Sequence, residues 1–338
     1  MNILSVEMYR MWSEIISKAL SKEVYNRREF RGKEIVYISG MGGSGIVGEY
    51  ASKIIEESGL KDILVFSRRS SEISRSLLER SDKTFFILVS YSGNTGETLR
   101  VFRRIISVNT SVGVVTSGGI LGEEALKRGI PMILIDKGLL PRVSFPMLLI
   151  SVFKMIELLG VDLNKIYEEI RSAMKFMESY EHVAEEISFR ILEALKSGMR
   201  IAIASTDRYQ PLVERFATEL AENSKILAER IVFPEAGHNF VETLEASKVY
   251  ILYIEDPLDL ESQLIGGFIE KISRRSESLK YDRLILPEGL GYTGRIIIGT
   301  YVGGLISAHL ARGLGVDPVN TPIIKLYRDH VTEFYLTH

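Results

Sequence analysis

The segment Glu34–Ser39 (EIVYIS) runs directly into Gly40-Met41-Gly42-Gly43-Ser44-Gly45. A short apolar, β-branched run reads as a strand, and glycines at its end allow a tight turn and close approach of a ligand to the backbone. The stretch that follows, Gly45–Glu57, has helical spacing. A helix beginning there offers free N–H groups and the positive end of its dipole to an anion. Outward from this βα unit the same rhythm repeats. Asp62–Phe66 (DILVF), Thr84–Val89 (TFFILV), Ser111–Thr116 (SVGVVT) and Pro131–Ile135 (PMILI) are buried-type runs, with helical spacing between them, as in Thr95–Ile106. Such alternation predicts an α/β fold with a doubly wound parallel sheet, complete near residue 160.

Residues 162–197 contain no glycine or proline and are strongly charged, which predicts a helical connection. The strand–helix rhythm then restarts. Arg200–Ala204 (RIAIA), Lys248–Ile254 (KVYILYI) and Arg283–Leu286 (RLIL) read as strands, and Leu212–Glu222 as a helix. Further helices are expected near 258–275, 292–313 and 320–335. The expected division is a helical segment over 1–30, a first subdomain over 31–160, a connection over 161–197 and a second subdomain over 198–338. The two α/β halves imply a duplication, without a strong residue-level repeat.

Composition narrows the function classes. The chain of 338 residues is 46% hydrophobic and 25% charged, a balance that excludes disorder and a membrane bundle. With 42 Lys and Arg against 44 Asp and Glu, it lacks the electrostatic footprint of a nucleic-acid binder. Zero cysteines exclude disulfides, thiol nucleophiles and Cys-ligated metals, and make the cytoplasm the default setting. The uncharged, mostly apolar run 296–311 falls short of the roughly 20 residues a spanning helix needs and is expected to be a buried core helix. No membrane association is expected.

Two loops carry the chemistry. Gly40, Gly42 and Gly45 match the dinucleotide spacing G-x-G-x-x-G, but the next strand ends in Ser67-Arg68-Arg69 where an acidic ribose ligand should stand. An NADP site using those arginines stays open. The third strand ends in Ser90-Tyr91-Ser92-Gly93-Asn94-Thr95-Gly96-Glu97-Thr98. Ser90, Ser92 and Thr95, with helix-start amides, form a neutral cradle for a phosphate. No lysine stands in this loop, so it is not a Walker loop. Capping by Asn94 or Thr95 accounts for one of these side chains, but not for three hydroxyls and two glycines together. Loops after strands of one open α/β sheet share a rim, which points to one phosphorylated small molecule.

G-M-G-G-S-G after the first strand and Ser90–Thr98 after the third resemble the paired signatures of the sugar isomerase (SIS) domain family. The resemblance implies two tandem SIS-type subdomains, with Gly43, Ser44, Ser90, Ser92 and Thr95 as sugar and phosphate contacts. The second half is similar to archaeal-type bifunctional phosphoglucose/phosphomannose isomerases. Arg215 to Lys225 (RFATELAENSK) resembles their R-[WF]-x-T-E-x-x-E-N-[AS]-K, and Pro234 to Asn239 (PEAGHN) resembles their P-E-x-x-H-N. Pro141-Arg142 and Lys325 match the substrate-facing arginine and the late lysine. Phe240 follows Asn239 where the family usually has Glu, and the next acid is Glu242. These departures bear on which sugar is preferred rather than on the reaction.

The resemblance implies aldose–ketose isomerisation of a phosphorylated hexose through a cis-enediol, with no cofactor and no metal. Glu222 is then the base that carries a proton between C1 and C2, a task suited to a carboxylate in a partly apolar cleft. His238 suits ring opening, because imidazole gives and accepts protons near neutrality. Of the five histidines, it alone stands in a Pro/Gly loop beside Asn239. Arg142 would stabilise the enediolate, and Lys325 would assist ring opening. The resemblance also implies a homodimer with shared active sites, His238 entering from the neighbour. An amino-sugar phosphate isomerase or deaminase, and a non-catalytic phosphosugar-binding regulator, are the alternatives.

Overall fold

Two all-parallel sheets carry the fold of the computed structural model, which describes residues 3–108 and 110–337. The order is α1 (Ile3–Arg10), α2 (Trp12–Ser21), β1 (Ile35–Ser39), α3 (Gly42–Ser58), β2 (Leu64–Arg68), α4 (Arg75–Leu78), β3 (Thr84–Ser90), α5 (Gly96–Ile106), β4 (Ser111–Thr116), α6 (Gly119–Lys127), β5 (Met132–Leu134) and α7 (Phe145–Ile156). It continues with α8 (Asn164–Met174), α9 (Met177–Lys196), β6 (Arg200–Thr206), α10 (Gln210–Glu219), β7 (Ala228–Phe233), β8 (Val249–Glu255), α11 (Leu260–Ser273), β9 (Leu279–Ile285), α12 (Tyr292–Leu314) and α13 (Pro322–Thr337).

The first sheet has the order β2-β1-β3-β4-β5 and the second β7-β6-β8-β9. The second repeats the first four strands of the first, so the duplication expected from the rhythm is present in the topology. In each, the order reverses between two central strands, β1 and β3 or β6 and β8. That is the switch point where open α/β sheets bind ligands. All seven residues of β3 and all seven of β8 are buried, because helices cover both faces of a central parallel strand. The edge strand β2 alternates instead and leaves Leu64 and Phe66 exposed.

The chain forms two compact units that interleave along the sequence. One comprises Trp12–Ile166 and Thr321–His338 and holds the first sheet; the other comprises Met1–Met11 and Tyr167–Asn320 and holds the second. In the first-sheet unit, Phe86, Leu88, Leu99, Phe102 and Leu121 pack beneath α5 and α6. Phe145 of α7 stacks with Trp12 of α2 at 6.0 Å and meets Tyr50 of α3 edge-on at 4.7 Å. In the second-sheet unit α12 is buried along nearly its whole length, as expected for a core helix. Among the described residues, no helix is long and apolar enough to cross a membrane.

The structure adds elements that the pattern does not announce. β7 is an unforeseen strand. It is an edge strand whose Glu229 and Arg230 pair with Arg200 and Glu214, so its sequence AERIVF looks polar. β9 begins at Leu279 rather than Arg283. The helix expected to reach Glu222 is α-helical only to Glu219, and residues Leu220–Ser224 form a π-helical turn. Finally, α13, which carries Lys325, packs on α5 of the first sheet rather than on the second.

Candidate functional site

On the rim of the first sheet the predicted loops converge at the β1/β3 switch point. The Tyr91 N–H donates to Ser44 Oγ at 3.0 Å, which ties the glycine loop to the hydroxyl loop. Ser90 and Thr95 hydroxyls lie 2.9 Å apart, and the Gly93 N–H donates to Ser90 Oγ at 3.1 Å. Thr95 is the N-cap residue of α5, yet no side chain caps that helix. Asn94 faces away from it, its Oδ1 accepting from Ile120 N–H at 3.0 Å. α3 likewise starts at Met41 without a side-chain cap. The hydroxyls therefore serve the loop, not the helix ends, as the excess of Ser and Thr predicts. Ser92 is exposed on the same loop, its Oγ accepting from Asn94 N–H.

Arg142 is almost wholly buried, 4% exposed, in the turn after β5. Its backbone lies beside Gly43: a Cβ built there would be 3.7 Å from the Pro141 carbonyl. Gly43, Ser44, Ser90, Ser92, Thr95 and Arg142 thus gather on one rim. Lys325 stands apart from it. It is exposed on α13, whose Tyr335 packs against Gly96; Lys325, ten positions earlier, lies about 15 Å further along that helix. Arg69, one of the two arginines an NADP site would use, is paired with Glu49 of α3 at 2.7 Å.

A third segment of this rim escaped sequence reasoning. Thr116-Ser117-Gly118-Gly119, after β4, braces the hydroxyl loop: Ser117 Oγ donates to the Tyr91 carbonyl at 2.7 Å, and Leu121 N–H to the Gly93 carbonyl at 2.9 Å. Its signal was a strand ending in Thr-Ser-Gly-Gly. Ser39 at the end of β1 and Thr98 in α5 also have buried hydroxyls without a hydrogen-bond partner among the described residues.

In the second-sheet unit, Glu222 is half-buried on the π-helical turn. Such turns widen a helix locally and often mark functional positions. The turn ends at Lys225 in a left-handed conformation, and Lys225 Nζ donates to the Glu222 carbonyl at 2.6 Å. His238 is exposed in a short helical turn after β7. It lines a cavity of about 660 Å³ with Asp207, Gln210, Arg230, Glu235 and Phe240. Asn239 donates to Glu235 at 2.9 Å, and its own Oδ1 accepts from Phe240 N–H at 2.6 Å. Phe240 packs against the core formed by Phe233, Ala236 and Leu244. Glu222 precedes β7 and His238 follows it. The six residues of β7 stand between them in the chain. Among the described residues no group of three or more His, Asp or Glu is placed to hold a metal.

Residues 186–331 match the family model described as the bacterial phospho-glucose isomerase C-terminal SIS domain. The chain is 28% identical to a bifunctional phosphoglucose/phosphomannose isomerase of Aeropyrum pernix, over 97% of this chain and 98% of that one. It is 29% identical to a D-glucosamine-6-phosphate 4-epimerase of Sulfolobus acidocaldarius, over 95% and 96%. In fold it is similar to the C-terminal domain of glucosamine-fructose-6-phosphate aminotransferase from Francisella tularensis, with a TM-score of 0.65 and 15% identity over 93% of this chain and 97% of that one. With the paired signature loops on one sheet rim and the duplicated strand order, the chain is similar over nearly its whole length to bifunctional phosphoglucose/phosphomannose isomerases, and its residues 186–331 to a SIS domain.

Proposed function

We propose that this protein interconverts glucose 6-phosphate, and mannose 6-phosphate, with fructose 6-phosphate through a cis-enediol, without a metal. The observation that carries this is the match of residues 186–331, which hold both Glu222 and His238, to the C-terminal SIS domain of bacterial phospho-glucose isomerase. Near full-length similarity to the Aeropyrum bifunctional enzyme supports it.

The residues divide the work. Ser44, Ser90, Ser92 and Thr95, with Gly43 and the uncapped helix starts, hold the phosphate by neutral donors. His238 opens the ring by protonating the ring oxygen; Lys325, the late lysine of the resemblance, stands apart from the rim and is given no part in this step. Glu222 takes the proton from one carbon and returns it to the neighbouring one. The Arg142 guanidinium, buried and fixed, stabilises the enediolate charge. Glu222 precedes β7 and His238 follows it, and in this reading the two that serve one sugar come from different copies. That favours a homodimer with shared sites. Phosphorylated hexoses are a cytoplasmic pool, and the same reading puts the protein there.

The test is fructose 6-phosphate with purified protein and excess chelator, reading both aldoses. Formation of glucose 6-phosphate is expected, and its absence overturns the reading. Glu222→Gln is expected to lower kcat by about 10²–10⁴-fold while phosphosugar binding survives; near-wild-type turnover would rule Glu222 out as the base. A second reading follows from Phe240, packed on the core where the bifunctional isomerases usually carry Glu, and from the equal similarity to the Sulfolobus epimerase. Glucosamine 6-phosphate as substrate discriminates: its C4 epimer, or released ammonia, in place of fructose 6-phosphate turnover would favour amino-sugar chemistry.

A further inference from the structure

We propose that Tyr9, on the N-terminal helix, is a positioning residue for Glu222, acting through a buried polar network. The proposal rests on Glu222 being the general base.

Tyr9 is buried, and its hydroxyl donates to Glu219 Oε2. Arg215 donates to the other oxygen of Glu219. Asn223 Nδ2 lies 3.0 Å from Tyr9 Oη, 3.0 Å from Glu219 Oε2 and 2.8 Å from Ser307 Oγ of α12. Ser307 in turn donates to the Gly304 carbonyl at 2.7 Å. Arg215, Glu219 and Asn223 are spaced by four, so one face of α10 and its π-helical extension is polar and buried. Tyr9 reaches it only because Gly304 has no side chain; a Cβ there would lie 2.3 Å from Tyr9 Cε1.

A buried Arg–Glu pair is seldom more stabilising than apolar residues of the same volume. Stability alone therefore does not account for this face. Its position does. Asn223 is the residue after Glu222, and its side chain is held inward by Tyr9, Glu219 and Ser307. On the outer side, Lys225 Nζ holds the Glu222 carbonyl and the Asn320 carbonyl. A π-helical turn has poorer intrinsic geometry than an α-helix and needs such outside support. The two clamps fix the backbone at Glu222 and at the residue after it. Tyr9 closes the inner clamp from another helix, which gives the N-terminal segment a part in the chemistry without touching substrate.

The experiment is Tyr9→Phe, which keeps the ring in the Gly304 notch and removes the hydroxyl. With fructose 6-phosphate, kcat is expected to fall about 10- to 100-fold, the scale of a slight misplacement of a reacting group, while KM changes less than about twofold. In a Glu222→Asp background, where the carboxylate is already displaced, Tyr9→Phe should cost little more. Unchanged kcat in Tyr9→Phe, or the same fold loss in both backgrounds, overturns the proposal. If Tyr9→Phe melts markedly lower than wild type, Ser307→Ala, which removes one acceptor from Asn223, is read by the same kcat and KM criteria. Wild-type protein that fails to isomerise fructose 6-phosphate defeats the functional reading itself, an outcome distinct from an active wild type with an indifferent Tyr9→Phe.

Discussion

At Gly93 the backbone adopts a φ of +70°, and a Cβ there would lie 1.7 Å from the Gly118 carbonyl oxygen. The hydroxyl loop and the loop after β4 thus approach as closely as two backbones can. Gly93→Ala pays the left-handed penalty of about 1–2 kcal/mol and must also push the second loop away. A lower urea midpoint and a higher KM for fructose 6-phosphate are expected; an unchanged KM would mean that the loop does not hold the phosphate. This part of the site was legible in the sequence, because Ser90, Ser92 and Thr95 stand within six consecutive residues after an evident strand. Arg142 was legible only through resemblance. Its burial beside Gly43 depends on contact between segments 99 positions apart (142 − 43).

Two elements carry most of what lies between the residue and the fold. The π-helical turn at Leu220–Ser224 has no periodicity of its own, so the sequence there reads as a continuous helix, and tertiary hydrogen bonds to Tyr9 and Ser307 hold the wider turn. α12 brings a second consequence. Burial lowers the pKa of His309 on this helix, with Arg10 and Arg312 acting the same way and Glu185 and Glu181 opposing them. The folded state then binds fewer protons than the unfolded state just below the unfolded histidine pKa of about 6.5. Stability is kept above that pH and lost as pH falls through the lowered folded value. Denaturant midpoints across this range should fall with pH in the wild type, and less steeply in His309→Gln. Parallel curves for the two proteins would show that His309 does not contribute.

For the molecule as a whole, the sharing of Glu222 and His238 between two copies has a direct test. If each site takes Glu222 from one copy and His238 from the other, Glu222→Gln and His238→Ala proteins are each inactive alone. Mixed at equal concentration and allowed to exchange subunits, half the dimers are hybrids with one intact site in two. Activity should return to about a quarter of wild type. A mixture as inactive as its components would mean that both groups belong to one chain's site, or that no dimer forms.

The sequence by itself determined the α/β class, the first five strands and the glycine- and hydroxyl-rich loops that follow them. Each depends on residues close together in the chain: a buried central strand must be a continuous apolar run, and a loop that joins a strand to the next helix start follows that strand directly. The tertiary structure decided the rest. It revealed β7 as an edge strand, because its charges are satisfied by Arg200 and Glu214 across the fold. It set α13 beside α5, though expectation put that helix with the second subdomain. It turned the end of the helix before Glu222 into a π-helical turn, through Tyr9 some 210 residues away. Such features rest on pairings whose partners lie far apart in the chain, and no local pattern records which distant partner will be present.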